Sequence, residues 1–430
     1  MELNLSILIF ALVIFTAVGA EKARFDNYHY YTISIENELQ LRVLRELSEV
    51  SDSYTFADPP TYVGSSADVI VPPHQFAHFS ELVEKFNLQT TLNSDNFQKL
   101  VDNESPKRQR KADLGDMDWT SYYSTVEIHV WLDKLQQTFP QYITVEEIGK
   151  SFEGRSLKLV KLSKKQNNRA IFIEGNIHAR EWISGATSTY VLNELLFSSD
   201  PEIQDLANNV DWYIIPISNP DGYEFSRNSN RNWRKTRSPV STLCNGVDPN
   251  RNFGFNWLTA DESGNLGASR LPCSDTFAGS RPFSEPETQA IENFLSQNYA
   301  KFDIYLSFHS FAHMMLFPFG HTSVRIPNFN DHLNIGQAAA DRLFAVDGVR
   351  YTVGPTRETL YAASGVSSDH AYGHHRIPLS YTYEMRGNGD YGNHGFVLPP
   401  EFIIPNGKEV LASLVGMVQK SRQLGYFKNQ

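Results

Sequence analysis

The sequence predicts an α/β protein made of two units, a small one followed by a larger one. Apolar, strand-like runs alternate with stretches whose apolar residues recur at helical spacing. At 430 residues the chain is long for a single compact core. A polar and basic stretch without periodicity, residues 102–111, separates the two patterns. Because strands and helices alternate on both sides of it, we expect an α/β fold in each unit.

The first twenty residues predict a signal peptide. An apolar stretch runs from Leu5 to Val18 and is followed by the small residues Gly19 and Ala20, as at a signal-peptidase site. The stretch is short for a membrane span, and no other segment approaches membrane length. Glu2 is acidic and no basic residue precedes the apolar stretch, so a signal anchor is the alternative. We expect the mature protein to be soluble and secreted, with no membrane partner.

The overall charge argues against a nucleic-acid partner. The chain carries 49 acidic and 38 basic residues, a net charge of −11. Proteins that bind nucleic acid neutralise phosphates with Lys and Arg, which this balance does not favour. An acidic balance is also ordinary among soluble enzymes, so it indicates little beyond this exclusion.

The small unit extends from Asn27 to about Asn103. Aromatic and β-branched runs predict its strands, and apolar residues at helical spacing predict its helices. The predicted elements, in the order β-α-β-α-β, are Tyr28 to Ile35, Glu38 to Val50, Asp68 to Val71, Phe76 to Phe86 and Leu88 to Leu92. This order suggests a compact α/β sandwich.

The stretch that follows predicts a cleavage site. Four of the five residues from Lys107 to Lys111 are basic, and the surrounding residues are polar. Exposed linkers are the preferred places for proteolysis, and this one suits a trypsin-like or furin-like protease. An ordinary charged linker is the alternative. A secreted precursor that loses its small unit here would explain both features.

After Lys111 the pattern predicts a larger α/β domain. Helices are predicted at Thr125 to Thr138, Ser184 to Leu196, Glu285 to Gln297, Ile335 to Phe344 and Glu409 to Leu424. Strands are predicted at Val145 to Ile148, Leu157 to Leu162, Ala170 to Glu174, Asp211 to Ile217, Phe302 to Phe308 and Leu379 to Glu384. The segment from Asn219 to Pro282 is turn-rich, and a loop of that length is normally functional or disordered. It contains both cysteines, Cys244 and Cys273, which suggest one disulfide in an oxidising compartment; two independent buried thiols are the alternative.

The strand predicted at Ala170 to Glu174 leads directly into a candidate metal site. His178 and Glu181 follow it, and open α/β sheets place their ligands at the carboxyl ends of strands. Imidazole and carboxylate suit zinc, which takes three protein ligands in catalytic sites. A loop with ordinary surface charges is the alternative. His309, at the end of another predicted strand, is favoured as the third ligand by position alone. The other histidines considered are His313, His374 and His375.

Other residues suit binding and proton transfer. Arg234, Asn250 and Arg251 lie in the long loop, and guanidinium groups bind carboxylates bidentately. With zinc nearby, such groups suit a substrate that carries a terminal carboxylate. Glu384 ends a largely apolar strand, where a carboxylate is costly unless it is paired or used, for example as a general base. The alternatives are arginines that bridge surface acids and a salt bridge from Glu384 to Arg386.

Several short motifs after Lys111 occur in a fixed order. They are His178-Ala179-Arg180-Glu181-Trp182, Asn219-Pro220-Asp221-Gly222-Tyr223, Trp233-Arg234-Lys235-Thr236-Arg237, Asp248-Pro249-Asn250-Arg251-Asn252, Ser307-Phe308-His309-Ser310, Tyr361-Ala362-Ala363-Ser364-Gly365 and Tyr383-Glu384-Met385-Arg386. Together they resemble the zinc metallocarboxypeptidases of the pancreatic A/B type. The leading unit, with Val71-Pro72-Pro73, resembles the activation domain of that family.

The resemblance implies a fold and a domain plan. It implies a mixed, mostly parallel eight-stranded sheet flanked by helices, preceded by a small α/β sandwich. We therefore expect a signal peptide at 1–20, an activation domain at 21–111 with a cleavable linker near 104–111, and a catalytic domain at 112–430. The resemblance also implies a disulfide between Cys244 and Cys273.

The resemblance further implies one Zn²⁺ per catalytic domain and a role for each site residue. His178, Glu181 and His309 would hold the zinc, and Asp248 would hold the second nitrogen of His178. Glu384 would act as general base and proton shuttle, and Arg234 would stabilise the oxyanion. The residues that would bind the substrate's carboxylate are Asn250, Arg251 and Tyr361, and those that would line more distant subsites are Arg180 and Phe311.

The resemblance ties substrate specificity mainly to one position. The base of the side-chain pocket falls on Ser368, where members that cut basic ends carry an acid and apolar-selective members an aliphatic residue. Serine is small and neutral, and Gly320 and Thr382 add no charge, so we expect neutral aliphatic or aromatic C-terminal residues. Asp369 does not discriminate between the classes. The segment from Tyr391 to Phe396 is about three residues longer than the family pattern, which leaves the role of Phe396 open.

These observations predict a secreted zymogen that, once cut by a trypsin-like protease, removes C-terminal residues from peptides as a monomer. One alternative is an inert relative that binds peptide C-termini. The presence of His178, Glu181, His309 and Glu384 argues against it, because an inert relative would be expected to lose a ligand or the base. The other alternative is a regulatory carboxypeptidase of different specificity.

Overall fold

The structure is a computed structural model that describes residues 22–50, 54–58, 60–104, 116–387 and 394–428. The predicted signal peptide and the basic residues from Lys107 to Lys111 lie outside these ranges, as do residues 391–393 of the lengthened segment. Within the described part of the chain, no helix is long and apolar enough to cross a membrane.

The small unit is an antiparallel sheet covered by helices. Its elements in chain order are β1 (His29–Ser34), α1 (Glu38–Val50), β2 (Thr55–Asp58), β3 (Ser66–Val71), α2 (Phe76–Phe86), β4 (Gln89–Ser94) and α3 (Phe97–Glu104). The strands pair in the order β2-β3-β1-β4. The apolar side chains of the strands and of α1 and α2 share one core, which includes Ile33, Leu44, Val69 and Phe79. The predicted β-α-β-α-β order lacked β2 and α3, which are both short.

The larger unit is built on a sheet of eight strands. They are β5 (Ile143–Lys150), β6 (Ser156–Leu162), β7 (Ala170–Gly175), β8 (Asp211–Ile215), β9 (Phe302–Ser310), β10 (Met314–Phe317), β11 (Thr352–Pro355) and β12 (Leu379–Met385). The order across the sheet is β11-β10-β12-β9-β7-β8-β6-β5. The central strands are parallel, whereas β5, β6 and β10 pair in antiparallel fashion with a neighbour. The predicted mixed, mostly parallel eight-stranded sheet is confirmed.

Helices cover this sheet. They are α4 (Thr125–Thr138), α5 (Trp182–Phe197), α6 (Pro201–Asn209), α7 (Pro220–Asn228), α8 (Pro286–Asn298), α9 (Phe329–Asp347), α10 (Thr356–Thr359), α11 (Ser367–Gly373) and α12 (Ile403–Gln423). Two buried hydrophobic clusters involve the sheet, one with α5, α9 and α12 and the other with α8 and α11. Both faces of the parallel strands are therefore buried, which explains why β7 and β9 are buried along their whole length.

Part of the segment predicted as one long loop is ordered by local structure. Asn219 caps α7 by accepting the Gly222 N–H, and Pro220 occupies its first position, where a missing N–H costs nothing. The remaining loop is joined by the Cys244–Cys273 disulfide, whose Cα atoms lie 5.2 Å apart, within the usual range. The predicted disulfide is confirmed.

Candidate metal centre

The three predicted metal ligands meet where two central strands end. His178 and Glu181 follow β7, and His309 lies near the end of β9, which is the neighbour of β7 in the sheet. Parallel strands end at the same edge of a sheet, so residues 128 or more positions apart in sequence come together here. All three side chains are buried.

Their ligand atoms converge on one point. His178 Nδ1 lies 2.7 Å from Glu181 Oε1, and His309 Nδ1 lies 3.0 Å from Glu181 Oε2. The two Nδ1 atoms lie 3.1 Å apart. Ligands about 2.1 Å from a tetrahedral zinc are separated by about 3.4 Å, so this spacing is close to that of a zinc site.

The outer nitrogens of the two imidazoles fix which nitrogen faces inward unprotonated. His178 Nε2 lies 3.2 Å from Asp248 Oδ1, which can only accept when ionised. His309 Nε2 lies 2.8 Å from the Ser307 hydroxyl, which donates its own proton to Glu174 Oε1 at 2.6 Å. Both histidines therefore carry their proton on Nε2, and both Nδ1 lone pairs face the Glu181 carboxylate. Three acceptors that face each other require a cation between them, so the residues present fit zinc.

Burial and charge set the protonation of these groups. Burial raises the pKa of the Glu181 carboxyl, but a positive charge on the imidazoles of His178 and His309 outweighs it and holds that pKa well below its usual range. Burial lowers the pKa of His309, so the imidazole is neutral at pH 7. A neutral imidazole and an ionised carboxylate are the forms that bind a metal ion.

Asp248 joins the metal ligands to the candidate oxyanion-binding arginine. Its Oδ2 accepts from Arg234 Nη2 at 2.8 Å and from Nε at 3.1 Å, while Oδ1 faces His178. Burial raises the pKa of Asp248, but the Arg234 guanidinium prevails and holds it well below its usual range. Arg234 Nη1 also lies 3.9 Å from Glu181 Oε1. One carboxylate thus orients both a zinc ligand and a cation beside it.

The predicted carboxylate-binding residues lie next to this group on a short 3-10 turn, Pro249–Arg251. Asp248 caps the turn by accepting the Asn250 N–H at 2.9 Å. Asn250 Oδ1 accepts the Ser367 N–H at 2.9 Å, and its Nδ2 lies 3.3 Å from His309 Nε2. Arg251 is held by the carbonyl of Gly267 at 2.7 Å and lies 5.9 Å from the centroid of the Tyr361 ring.

Strand register brings Glu384 to the same place. Glu384 on β12 pairs directly with His309 on β9 in the parallel ladder. Its side chain is half-buried, in contrast to the fully buried metal ligands. Arg386, two residues further, donates to Glu409 and Asp347. The structure therefore unites on one edge of the sheet the candidate ligands, the candidate base and the candidate carboxylate clamp.

Sequence comparison agrees with this arrangement. Residues 128–413 match the zinc carboxypeptidase family, and residues 31–104 match the carboxypeptidase activation peptide.

The chain belongs to the zinc carboxypeptidase family.

Relatives and solved structures show how far the similarity extends. Zinc carboxypeptidase A 1 of Anopheles gambiae is 40% identical over 95% of this chain and 93% of its own length. Carboxypeptidase B of Astacus astacus is 44% identical over 68% of this chain and 94% of its own length. The crystal structure of carboxypeptidase A from Helicoverpa armigera superimposes with a TM-score of 0.84 at 29% identity, covering 93% of this chain and 99% of that one. The protein is thus a metallocarboxypeptidase with an activation peptide and a zinc cofactor.

The activation peptide of this carboxypeptidase packs against the predicted outer subsites. Phe311 and Phe396 share a hydrophobic cluster with residues of the small unit, among them Tyr30 and Phe97. Arg180, the other predicted subsite residue, lies 4.3 Å from the centroid of the Phe396 ring and 3.3 Å from Asp275 Oδ2. The activation peptide therefore covers the predicted outer subsites.

A buried ion pair, which no sequence pattern predicts, adds to this contact. Glu104 at the end of α3 accepts from the Arg231 guanidinium, and both side chains are 0% exposed. Arg231 also donates to the carbonyls of Arg180 and Phe396 and lies 3.9 Å from the centroid of the Trp182 ring.

The predicted pocket residue Ser368 lies in the first turn of α11. Its Oγ accepts from Thr382 Oγ1 at 3.1 Å. The neighbouring Asp369 accepts the Gly320 N–H at 2.9 Å and lies 3.1 Å from His321 Nδ1, both through Oδ2. Within the described ranges, Asp369 Oδ1 has no hydrogen-bond partner.

Glu174 is a site residue that the sequence analysis missed. It is the second-last residue of β7, and its Oε1 accepts from the hydroxyls of Ser307 and Ser367. It thereby supports both His309 and the start of α11. Like Glu384, Glu174 is a carboxylate on an apolar strand that must be paired or used, and this is the sequence signal that indicates it.

Proposed function

We propose that this chain is a secreted precursor that, once its activation peptide is cut off, removes neutral C-terminal residues from peptides. The observation that carries the proposal is the convergence of His178, Glu181 and His309 beside Glu384 and Arg234. In this proposal a trypsin-like protease cuts near 104–111, and the mature enzyme acts as a monomer. The domain bounds that it adopts are 1–20, 21–111 and 112–430.

The zinc ligands are His178, Glu181 and His309. Zinc, when bound there, supplies a Lewis acid that polarises the scissile carbonyl and lowers the pKa of a water molecule. Asp248 holds the Nε2 proton of His178 and so keeps the Nδ1 lone pair directed at the metal.

Glu384 takes the proton of the attacking water and then delivers it to the leaving amine. Its half-buried position beside His309 supports this role, because the carboxylate faces the site without being enclosed. Arg234 stabilises the oxyanion of the tetrahedral intermediate, since Asp248 already fixes the direction of its guanidinium.

The substrate's terminal carboxylate is bound by Asn250, Arg251 and Tyr361, and Arg180 and Phe311 line the subsites further along the peptide. The bond from Arg251 to the Gly267 carbonyl fixes the guanidinium, so little side-chain entropy is lost when a carboxylate binds.

Ser368 supports a neutral specificity. Its hydroxyl is paired with that of Thr382, so the pocket position carries no charge. A Lys ammonium that enters such a pocket loses hydration without gaining an opposite charge.

Secretion is supported by two features. Residues 1–20 have the pattern of a signal peptide, and the Cys244–Cys273 disulfide is a bond that persists in oxidising compartments. Expression in a secreting host should release a chain into the medium whose N-terminal residue is Glu21. A chain that stays in the membrane fraction would contradict this part of the proposal.

The specificity test uses the precursor treated with trypsin and peptides that differ only in a C-terminal Phe, Leu, Lys or Glu. Release of Phe and Leu is expected. Release of Lys alone would overturn the neutral-pocket assignment, and release from no peptide would overturn the catalytic roles. The Ser368→Asp variant is the matched control, since an acid at this position should shift the preference towards Lys.

A further inference from the structure

A second group of histidines follows the pocket residue Ser368 in the sequence, in and just after α11. His370 lies in this helix, His374 and His375 follow its last residue, and Glu292 on α8 faces them. A ligand atom from each of the four lies within 4.8 Å of one from every other. None of these residues has a part in the carboxypeptidase reaction described above.

The imidazole spacing matches that of the zinc site. The three ring centroids lie 4.7, 4.8 and 5.0 Å from one another, and those of His178 and His309 lie 4.7 Å apart. Nε2 of His370 and Nε2 of His375 both face one oxygen, Glu292 Oε2, at 2.7 and 2.8 Å.

The hydrogen bonds of His370 distinguish it from the candidate ligands. Phe255 donates its N–H to His370 Nδ1 at 3.2 Å, so the proton of a neutral His370 lies on Nε2 and is donated to Glu292. His370 therefore orients the carboxylate, as hydrogen-bonded groups behind metal ligands do. The donors that remain are Glu292, His374 and His375, the same one-carboxylate, two-imidazole set as in the zinc site.

We propose that Glu292, His374 and His375 form a second binding site for a divalent transition-metal ion such as zinc. Imidazole and carboxylate donors suit ions of this class. His375 is buried, Glu292 is half-buried and His374 is exposed, so an ion enters from solvent and keeps water on its open coordination position.

The carboxylate of Glu292 is held in place by neighbouring donors. His370 donates its Nε2 proton to Glu292 Oε2 at 2.7 Å. Ser296 fixes the other oxygen by donating to Oε1 at 2.8 Å. A bound ion would link α8 to the end of α11, the helix whose first turn carries Ser368.

The test is zinc binding to the full-length precursor that already holds its catalytic zinc. Zn²⁺ alone is titrated by calorimetry after dialysis, and crystals soaked in Zn²⁺ are examined by anomalous scattering at the zinc edge. A second zinc peak bounded by Glu292, His374 and His375 is expected. A chain that holds a single zinc, or a second peak beside Glu384, overturns the proposal.

Variants decide the ligand set. His374→Ala alters an exposed side chain and should weaken the second zinc by at least about tenfold, with the catalytic zinc retained. Glu292→Gln keeps the shape of the side chain and should weaken the second zinc to a similar extent. The control is His74→Ala, an exposed histidine of the activation peptide, which should change nothing. If His374→Ala binds the second zinc as tightly as the wild type does, the cluster is joined by hydrogen bonds alone and is not the metal site.

Discussion

At the scale of single residues, Glu384 is placed by strand pairing and not by a local motif. It lies 75 positions after His309, yet the register of β12 against β9 sets the two side by side. Because Glu384 does not belong to the ligand set, its role in proton transfer can be tested without disturbing the metal.

Glu384→Gln should reduce the turnover of the activated enzyme by about 10²- to 10⁴-fold, because the amide cannot accept the proton of the attacking water. The zinc content, measured by elemental analysis, and the binding of a peptide should remain close to those of the wild type. Hydrolysis at the normal rate would end the assignment of Glu384 as the base.

Asp248→Asn should weaken zinc binding by roughly 10- to 100-fold, because the amide no longer holds His178 through a charged acceptor. The measurement is a zinc competition titration with a chelator. Asp261→Asn is a matched control, because Asp261 also accepts from an arginine, Arg357 at 2.7 Å. Equal losses in the two variants would show a general effect of breaking an Asp–Arg pair.

The individual residues of the site were largely predictable from the sequence. His178 and Glu181 follow an apolar run, and His309 ends another, so chemistry and strand position together indicated the ligands. The pairing of Glu104 with Arg231 was not predictable, since a lone glutamate near a linker gives no sign that it will be buried. Such pairs depend on how two units pack.

At the scale of elements, a buried histidine connects α9 to β12. His332 Nδ1 donates to the Asn328 carbonyl at 3.2 Å, and Nε2 accepts the Ser380 N–H at 3.2 Å. The bond from Ser380 requires the neutral ring, because a protonated Nε2 cannot accept, and burial lowers the pKa of His332 to about 4.

This pKa predicts a loss of stability in acid. Between pH 6.5 and about 4 the unfolded chain binds a proton at His332 that the folded chain does not, so the free energy of unfolding falls as the pH falls. The full contribution is about 3 kcal/mol. The free energy of unfolding, measured by denaturant titration at several pH values, should depend less steeply on pH in His332→Gln than in the wild type. A slope identical to that of the wild type, or an equal change in His74→Gln, would contradict the prediction.

The elements missed by sequence analysis are short. Met314–Phe317, Thr352–Pro355 and Thr55–Asp58 each contain four residues, too few for a period of two to stand out. They become strands because a neighbour in the sheet supplies hydrogen-bond partners. The seven residues of α11 are likewise held by tertiary bonds, among them that from Ser367 to Asn250.

The end of α3 is predicted to hold the activation peptide on the enzyme. Glu104→Gln removes the charge that faces Arg231 and leaves a buried cation without a charged partner, which is strongly destabilising for the contact. The uncut precursor should then show higher basal activity than the wild type. Asp95→Asn is the control, because its pair with Lys99 is exposed and such pairs contribute little. Basal activity that stays at the wild-type level would exclude Glu104 as a determinant of inhibition.

At the scale of the whole molecule, the fold class followed from alternating patterns, but the strand order did not. β9 lies between β7 and β12 although about 130 residues separate its start from that of β7, and nothing local encodes that pairing. The order nevertheless creates the site, because it brings the carboxyl ends of β7, β9 and β12 to one edge. The family resemblance implied an eight-stranded mixed sheet but not the order of its strands.

The packing of the two units predicts different rates of zinc loss before and after activation. The activation peptide packs on Phe311 and Phe396 of the predicted outer subsites, and the three zinc ligands are buried. A chelator such as 1,10-phenanthroline should therefore remove zinc more slowly from the precursor than from the trypsin-activated enzyme. In both forms zinc removal should lower the melting temperature, because the ion binds only the folded state, and added zinc should restore it. Time courses of zinc release measure the first effect and calorimetry the second. The Glu104→Gln precursor should release zinc at a rate between those of the two forms, because its activation peptide is held less tightly. Equal release rates in the precursor and the activated enzyme would show that the activation peptide leaves the metal accessible.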